Sequence, residues 1–124
     1  MKTIHSDKAP KVVGPYSQAI ATDNLIFCSG QIGIDPSIGK LVEGIENQTH
    51  QVMKNIREVL KAAGRDLDHV VKTTIFVADM KDYRTVNEIY GSYFTDHKPA
   101  RSTVQVAGLP LGALVEIEMV AVRN

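Results

Sequence analysis

A chain of 124 residues, 44% of them hydrophobic, can build one sizeable core but not two, so a single domain over residues 1–124 is expected. Fourteen Lys and Arg are cancelled by fourteen Asp and Glu, which disfavours nucleic acid as a partner, because phosphate binding needs a basic excess. The one cysteine, Cys28, excludes an intrachain disulfide and a multi-thiolate zinc site, and the lack of Trp with only 6% aromatics argues against a base-stacking platform.

The opening Met1-Lys2-Thr3-Ile4-His5 has no apolar leader, and no run approaches the length of a membrane span, so a reducing cytoplasm is the expected setting. Ser17–Ala21 and Leu25–Gly30 flank Thr22-Asp23-Asn24 and read as a β-hairpin. Asp35-Pro36-Ser37-Ile38-Gly39 is a turn. Ile45, Thr49, Val52, Met53, Ile56, Val59, Leu60 and Ala63 then recur at helical spacing, and Gly64 sits where a helix stops. Val70–Val77 is rich in β-branched residues and reads as a central strand. Asp79 is placed to cap a second helix reaching Phe94, with Tyr83, Val86, Tyr90 and Tyr93 along one face. After Pro99, Arg101–Val106 reads as a strand, Gly108–Gly112 as a loop and Leu114–Val122 as a final strand.

The order β-β-β-α-β-α-β-β predicts an α/β sandwich, with one mixed sheet and both helices on one face. Alternation puts Val71, Ile75 and Val77 on one side of their strand and Val70, Phe76 and Ala78 on the other; Val115, Ile117 and Met119 likewise oppose Leu114 and Val120. Two helices cover one face, and the second face is also substantially apolar, so self-association is expected.

Several residues have the chemistry for a site. Arg101, set by the preceding Pro99, could present a rigid fork to a carboxylate, or be an ordinary solvated arginine. Glu116 and Glu118 share a strand face; desolvated, such a glutamate exchanges protons near neutrality, whereas on a wet face it only marks alternation. Gly14-Pro15-Tyr16-Ser17 presents a phenol on a turn, either to a ligand or as a lid on the core. Ser29-Gly30-Gln31 ends a strand where glycine permits close approach of a ligand, and Asn87 offers a polar contact from the second helix. His5, His50, His69 and His97 show no metal-type spacing, and Cys28, inside an apolar strand, reads as a buried small hydrophobe rather than a nucleophile.

Four pieces stand out: Gly14-Pro15-Tyr16-Ser17-Gln18-Ala19, Phe27-Cys28-Ser29-Gly30-Gln31-Ile32, Asn87-Glu88-Ile89-Tyr90, and Pro99-Ala100-Arg101-Ser102-Thr103-Val104 with Glu116-Ile117-Glu118. Together they resemble the Rid family, the YjgF-type reactive-imine deaminases. The resemblance implies a chorismate-mutase-like fold assembled as a homotrimer, with sites between subunits. It implies cofactor-free and metal-free hydrolysis of 2-aminoacrylate, 2-aminocrotonate and related imino or enamine acids to keto acids and ammonia. On it, Arg101 matches the carboxylate-binding residue and Glu116 the acid that positions or activates water. Tyr16, Ser29 and Asn87 match pocket-lining residues, and Gly30 and Thr103 match backbone contacts to the ligand. The chain departs from the family pattern at Thr103, where many relatives have Cys, and at Gly108-Leu109-Pro110-Leu111, which lacks the usual basic residues. Rival readings are a keto-acid or amino-acid sensor using the same Arg101, a ribonuclease or translation inhibitor, and a chaperone acting through the apolar sheet face.

Overall fold

The computed structural model describes residues 1–124. Five short strands come first: β1 (Lys2–Ile4), β2 (Ala19–Ala21), β3 (Leu25–Ile32), β4 (Ile34–Asp35) and β5 (Lys40–Leu41). Helix α1 (Ile45–Ala62), strand β6 (Val70–Val77), helix α2 (Tyr83–Ser92), strand β7 (Ala100–Gln105) and strand β8 (Val115–Val122) follow. Six strands form one mixed sheet in the order β1-β2-β3-β8-β6-β7, in which only β6 and β7 run parallel. The expected hairpin is β2–β3. Strands β4 and β5 pair separately across the Asp35–Gly39 turn.

Helix α1 is built as its periodicity predicts. Val52, Met53, Ile56, Val59 and Leu60 are buried against the sheet, and each such side chain contributes roughly 1.5–3 kcal/mol. The helix ends because Gly64 adopts φ +73°, which lets Arg65 N donate to Leu60 O and Gly64 N to Lys61 O, both at 2.9 Å. Two buried amides inside its apolar stripe escaped the periodicity argument. Gln48 Oε1 accepts from Leu114 N at 2.8 Å, and Asn55 Nδ2 donates to Ile32 O at 3.2 Å and Ile34 O at 2.9 Å. They tie the ends of β3 and β8 to the helix. Gly33 allows this closeness: a Cβ there would stand 2.8 Å from the Gln48 Cα.

The second helix is shorter than its sequence suggests. Asp79 does cap, accepting from Lys81 N at 2.8 Å, but it opens a 3₁₀ turn over Met80–Asp82, and α2 itself starts at Tyr83. Of its predicted apolar face, Val86 and Tyr90 are buried, while Tyr83 keeps about a third of its surface exposed.

The core lies between the helices and one sheet face. Ile26, Cys28, Val70, Ile75, Val77, Val115, Ile117, Met119 and Ala121 all point into it. On β8 the predicted alternation holds. On β6 it needs correcting: Val70, not Val71, shares the core face with Ile75 and Val77. Register shifts between Val70 and Lys72, a bulge that leaves Val71 as the extra residue, 39% exposed, and turns Val70 inward. The opposite face carries the rows Phe27–Val120–Lys72 and Ile32–Glu116–Phe76–Val104, read across β3, β8, β6 and β7. Its apolar members include Phe27 at 46% and Val104 at 43% exposure, but Lys72, Thr74, Glu116 and Glu118 interrupt them. It is less apolar than the strand patterns imply.

Replacing Asn55 by Ala strands two carbonyls at the β3 end, and the expected loss is about 1–3 kcal/mol. Thermal unfolding at matched protein concentration should show a lowered midpoint, whereas Lys54→Ala, at an exposed position of the same helix, should leave it nearly unchanged.

Candidate functional site

The predicted site residues fall into two groups on opposite faces of the sheet. One group surrounds Glu116. At Ser29-Gly30 strand β3 carries a second bulge, with Cys28 and Gln31 opposite Met119 and Ile117 and two residues facing the single Glu118. The bulge is anchored by Ser29, whose N–H donates to Gln18 O at 2.9 Å and whose hydroxyl donates to Ser17 O at 2.6 Å. It bends Gly30 beneath the side chain of Glu116, where a Cβ on residue 30 would stand 2.0 Å from Oε2. Gly30 is thus required for the position of the carboxyl group.

A cavity of about 570 Å³ opens over this carboxyl group, with Tyr16, Ser29, Gly30 and Glu116 in its wall together with apolar side chains such as Ile32 and Leu111. Tyr16 is a cavity residue, 54% exposed, and not a lid on the core. Gln18, not singled out by sequence, holds the turn from Ser6 to Pro10 that leads into one rim of the cavity. Its buried amide accepts from Ser6 N at 2.7 Å and donates to Ser6 O at 3.1 Å and Pro10 O at 3.0 Å. Glu116 has no basic partner. Partial burial raises its pKa above the usual carboxylate range, and the charge on Glu118 raises it further.

The other group surrounds Arg101, at the sheet edge and on the helix-covered side. Arg101 lies opposite Thr73 on β6, and its guanidinium stands 5.1 Å from the Tyr90 ring centroid and 5.8 Å from that of Tyr83. No carboxylate of the chain pairs with it. Asn87, Tyr90, Gly91, Phe94, Lys98, Pro99 and Arg101 line a cavity of about 320 Å³. Asn87 is exposed there. Thr103, two residues along β7 and on the same side as Arg101, has a buried hydroxyl with no hydrogen-bond partner. The tyrosines around Arg101 were visible in the sequence only as a helix face, because nothing local says that α2 packs over the start of β7.

Arg101 and Glu116 therefore do not meet within one chain. Strand β6 separates β7 from β8, and Arg101 lies level with Met119, three residues from Glu116, so the two positions are about 14 Å apart in the sheet and on opposite faces. One half offers a cation with Lys98 nearby, the other an acid over an apolar cavity.

The remaining candidates have structural partners. His5 contacts Asp7 and His50 contacts the Tyr93 hydroxyl at 2.8 Å, His69 accepts from Asp66 N at 3.2 Å, and His97 contacts Val70 O. Cys28 is buried in the core, and burial pushes its thiol up to about 12. No helix is long and apolar enough to cross a membrane.

A family model described as Endoribonuclease L-PSP matches residues 6–123. The chain is 54% identical over 124 residues to the 2-iminobutanoate/2-iminopropanoate deaminase of Mus musculus, with 99% of this chain and 92% of the mouse protein covered. It is 55% identical over 121 residues to the chloroplastic Reactive Intermediate Deaminase A of Arabidopsis thaliana, covering 97% of this chain but 65% of the plant protein. Among solved structures, RidA from an Antarctic Psychrobacter has a TM-score of 0.96 at 43% identity, covering 98% of this chain and 99% of that one. TdcF of E. coli with bound serine has a TM-score of 0.96 at 36% identity, covering 100% of both chains.

With a thiol pKa of about 12, Cys28 carries roughly one thiolate in ten thousand molecules at pH 8. A chromogenic disulfide reagent should leave the folded protein unlabelled at that pH and titrate one thiol after denaturation. Fast labelling of the folded chain would contradict the burial described.

Proposed function

The chain belongs to the Endoribonuclease L-PSP family, the RidA/YjgF group, and on that footing we propose that it hydrolyses reactive 2-imino and enamine acids to 2-keto acids and ammonia, in clefts that two copies of the chain build together. The Rid resemblance of its sequence is borne out by this membership, and the fold matches that of the solved relatives. The observation that carries the inter-subunit reading is the separation of Arg101 from Glu116 onto opposite sheet faces. A substrate small enough to be an imino acid cannot touch both within one chain. A second copy laid against the open face can bring its own Arg101 edge to the Glu116 cavity. That copy also covers Phe27 and Val104. The closed assembly we assign is a homotrimer, held in a cytosolic setting.

In this reading Arg101 fixes the carboxylate of the substrate through paired N–H donors and so orients the C=N carbon. Tyr16, Ser29, Gly30, Asn87 and Thr103 complete the binding surface. Water held at Glu116 gives a proton to the carboxylate as its oxygen adds to the C=N carbon of the protonated imine, and the carboxyl group then returns that proton to the nitrogen of the carbinolamine. Protonation of the resulting amino group then lets the C–N bond break; the hydroxyl proton leaves as the carbonyl forms, and ammonia departs. A desolvated glutamate with a raised pKa is suited to both transfers, because it lies nearer in proton affinity to its partners. Bound serine in the E. coli relative TdcF supports a site for small 2-amino acid-like carboxylates. The family description names an endoribonuclease, but a chain with fourteen positive and fourteen negative side chains, whose larger cavity is built around an acid, is poorly suited to a polyanion.

The test couples the protein to a serine or threonine dehydratase and follows keto acid release with semicarbazide as a competing trap. Wild type should speed release and suppress the semicarbazone, while Arg101→Ala and Glu116→Gln should each do neither. A wild type without effect would favour the sensor reading. Co-refolding equal amounts of the two inactive variants should restore about a quarter of the activity, because random mixing leaves that share of clefts with both residues intact. No recovery would count against shared clefts. The pH profile supplies an independent check. Activity should rise as Glu116 ionises, with an acid limb above the usual carboxylate range, and Glu118→Gln should move that limb to lower pH by removing a like charge.

A further inference from the structure

The Arg101 guanidinium is held on two sides. It lies over the Tyr90 ring at 5.1 Å, and its Nη2 donates to the Tyr83 hydroxyl at 3.0 Å. Tyr90 is fully engaged, because its own hydroxyl is hydrogen-bonded to the Thr73 hydroxyl at 2.8 Å inside the core. Tyr83 differs in one respect. Its oxygen accepts from Arg101, its single proton has no acceptor in the chain, and the residue is 37% exposed. A hydroxyl that accepts from a cation is a stronger donor for being polarised. Tyr83 takes up only one of the five guanidinium N–H groups, so the fork retains donors for a carboxylate.

We propose that Tyr83 is a further substrate-binding residue, whose hydroxyl, held in place by Arg101 Nη2, donates its proton to the carboxylate of a 2-imino or 2-keto acid seated on the guanidinium. The inference rests on the reading of Arg101 as the carboxylate anchor. It adds a neutral donor beside the cation and gives the carboxylate a third, directional bond. Because substrate and transition state carry the same carboxylate, this bond strengthens binding of both and does not accelerate the chemical step.

Tyr83→Phe removes the hydroxyl and keeps the ring beside Arg101. The expected result is a KM raised about tenfold with kcat unchanged, since a lost hydrogen bond to a charged group weakens ground state and transition state alike. The dissociation constant of 2-oxobutanoate, measured by calorimetry, should rise by the same factor while the thermal midpoint stays put. In an Arg101→Lys background, Tyr83→Phe should add little, because the donor loses the group that orients it. A wild-type KM and a wild-type affinity for 2-oxobutanoate in Tyr83→Phe would overturn the inference and leave Arg101 in its role. A fall in kcat with KM unchanged would also overturn it. A wild-type protein that neither hydrolyses the imine nor binds 2-oxobutanoate would overturn the reading of Arg101 and this inference with it.

Discussion

Two helices cannot cover both faces of a six-stranded sheet, and most of what is distinctive in this molecule depends on that constraint. The helices spend their apolar stripes on the face carrying Ile26, Val70, Ile75, Val115, Ile117 and Met119. The other face is left with a mixture of apolar and charged side chains, and the β7 edge is left without a neighbouring strand. Alternation along β8 then places Glu116 on the open face, because Val115 and Ile117 are needed in the core. Alternation along β7 places Arg101 under α2. The two groups best suited to act on a small acid are kept apart by the same packing that stabilises the fold.

The local devices around each group serve precision. The Ser29-Gly30 bulge removes a side chain from beneath Glu116, and the Gln48 and Asn55 amides hold the ends of β3 and β8 to α1. On the other side, Tyr83 and Tyr90 restrict a guanidinium that would otherwise sample many rotamers in water. Holding a side chain before the ligand arrives reduces the entropy lost on binding. A partly desolvated carboxyl group with a raised pKa, beside a cavity lined in part by apolar side chains, has the corresponding property for the proton transfer proposed for Glu116.

Much of the fold was legible in residue order. The 3.6-residue period of α1, its Gly64 stop, the β-branched run of β6 and the alternation of β8 each reflect a local rule that tertiary packing reinforced. Two local expectations gave way to the tertiary structure. The bulge at Val71 reverses the facing of Val70, since an extra residue shifts the period by one without changing composition. The turn at Met80–Asp82 delays α2, although Asp79 caps as its chemistry suggests. The buried amides Gln18, Gln48 and Asn55 were illegible for a different reason: a polar residue in an apolar stripe shows its use only when its partner, distant in sequence, is known.

By itself the sequence determined the element types, the mixed sheet, the family resemblance and the residues able to hold a carboxylate or move a proton, because these rest on periodicity and side-chain chemistry. Which of those residues share a surface was decided only by the tertiary structure. Arg101 and Glu116 are fifteen positions apart, yet strand order and pleat put them on different strands and opposite faces. Tyr83, eighteen positions from Arg101, comes within 3.0 Å of it. Sequence separation carries no information about either distance, since both follow from how the strands line up and which face the helices cover.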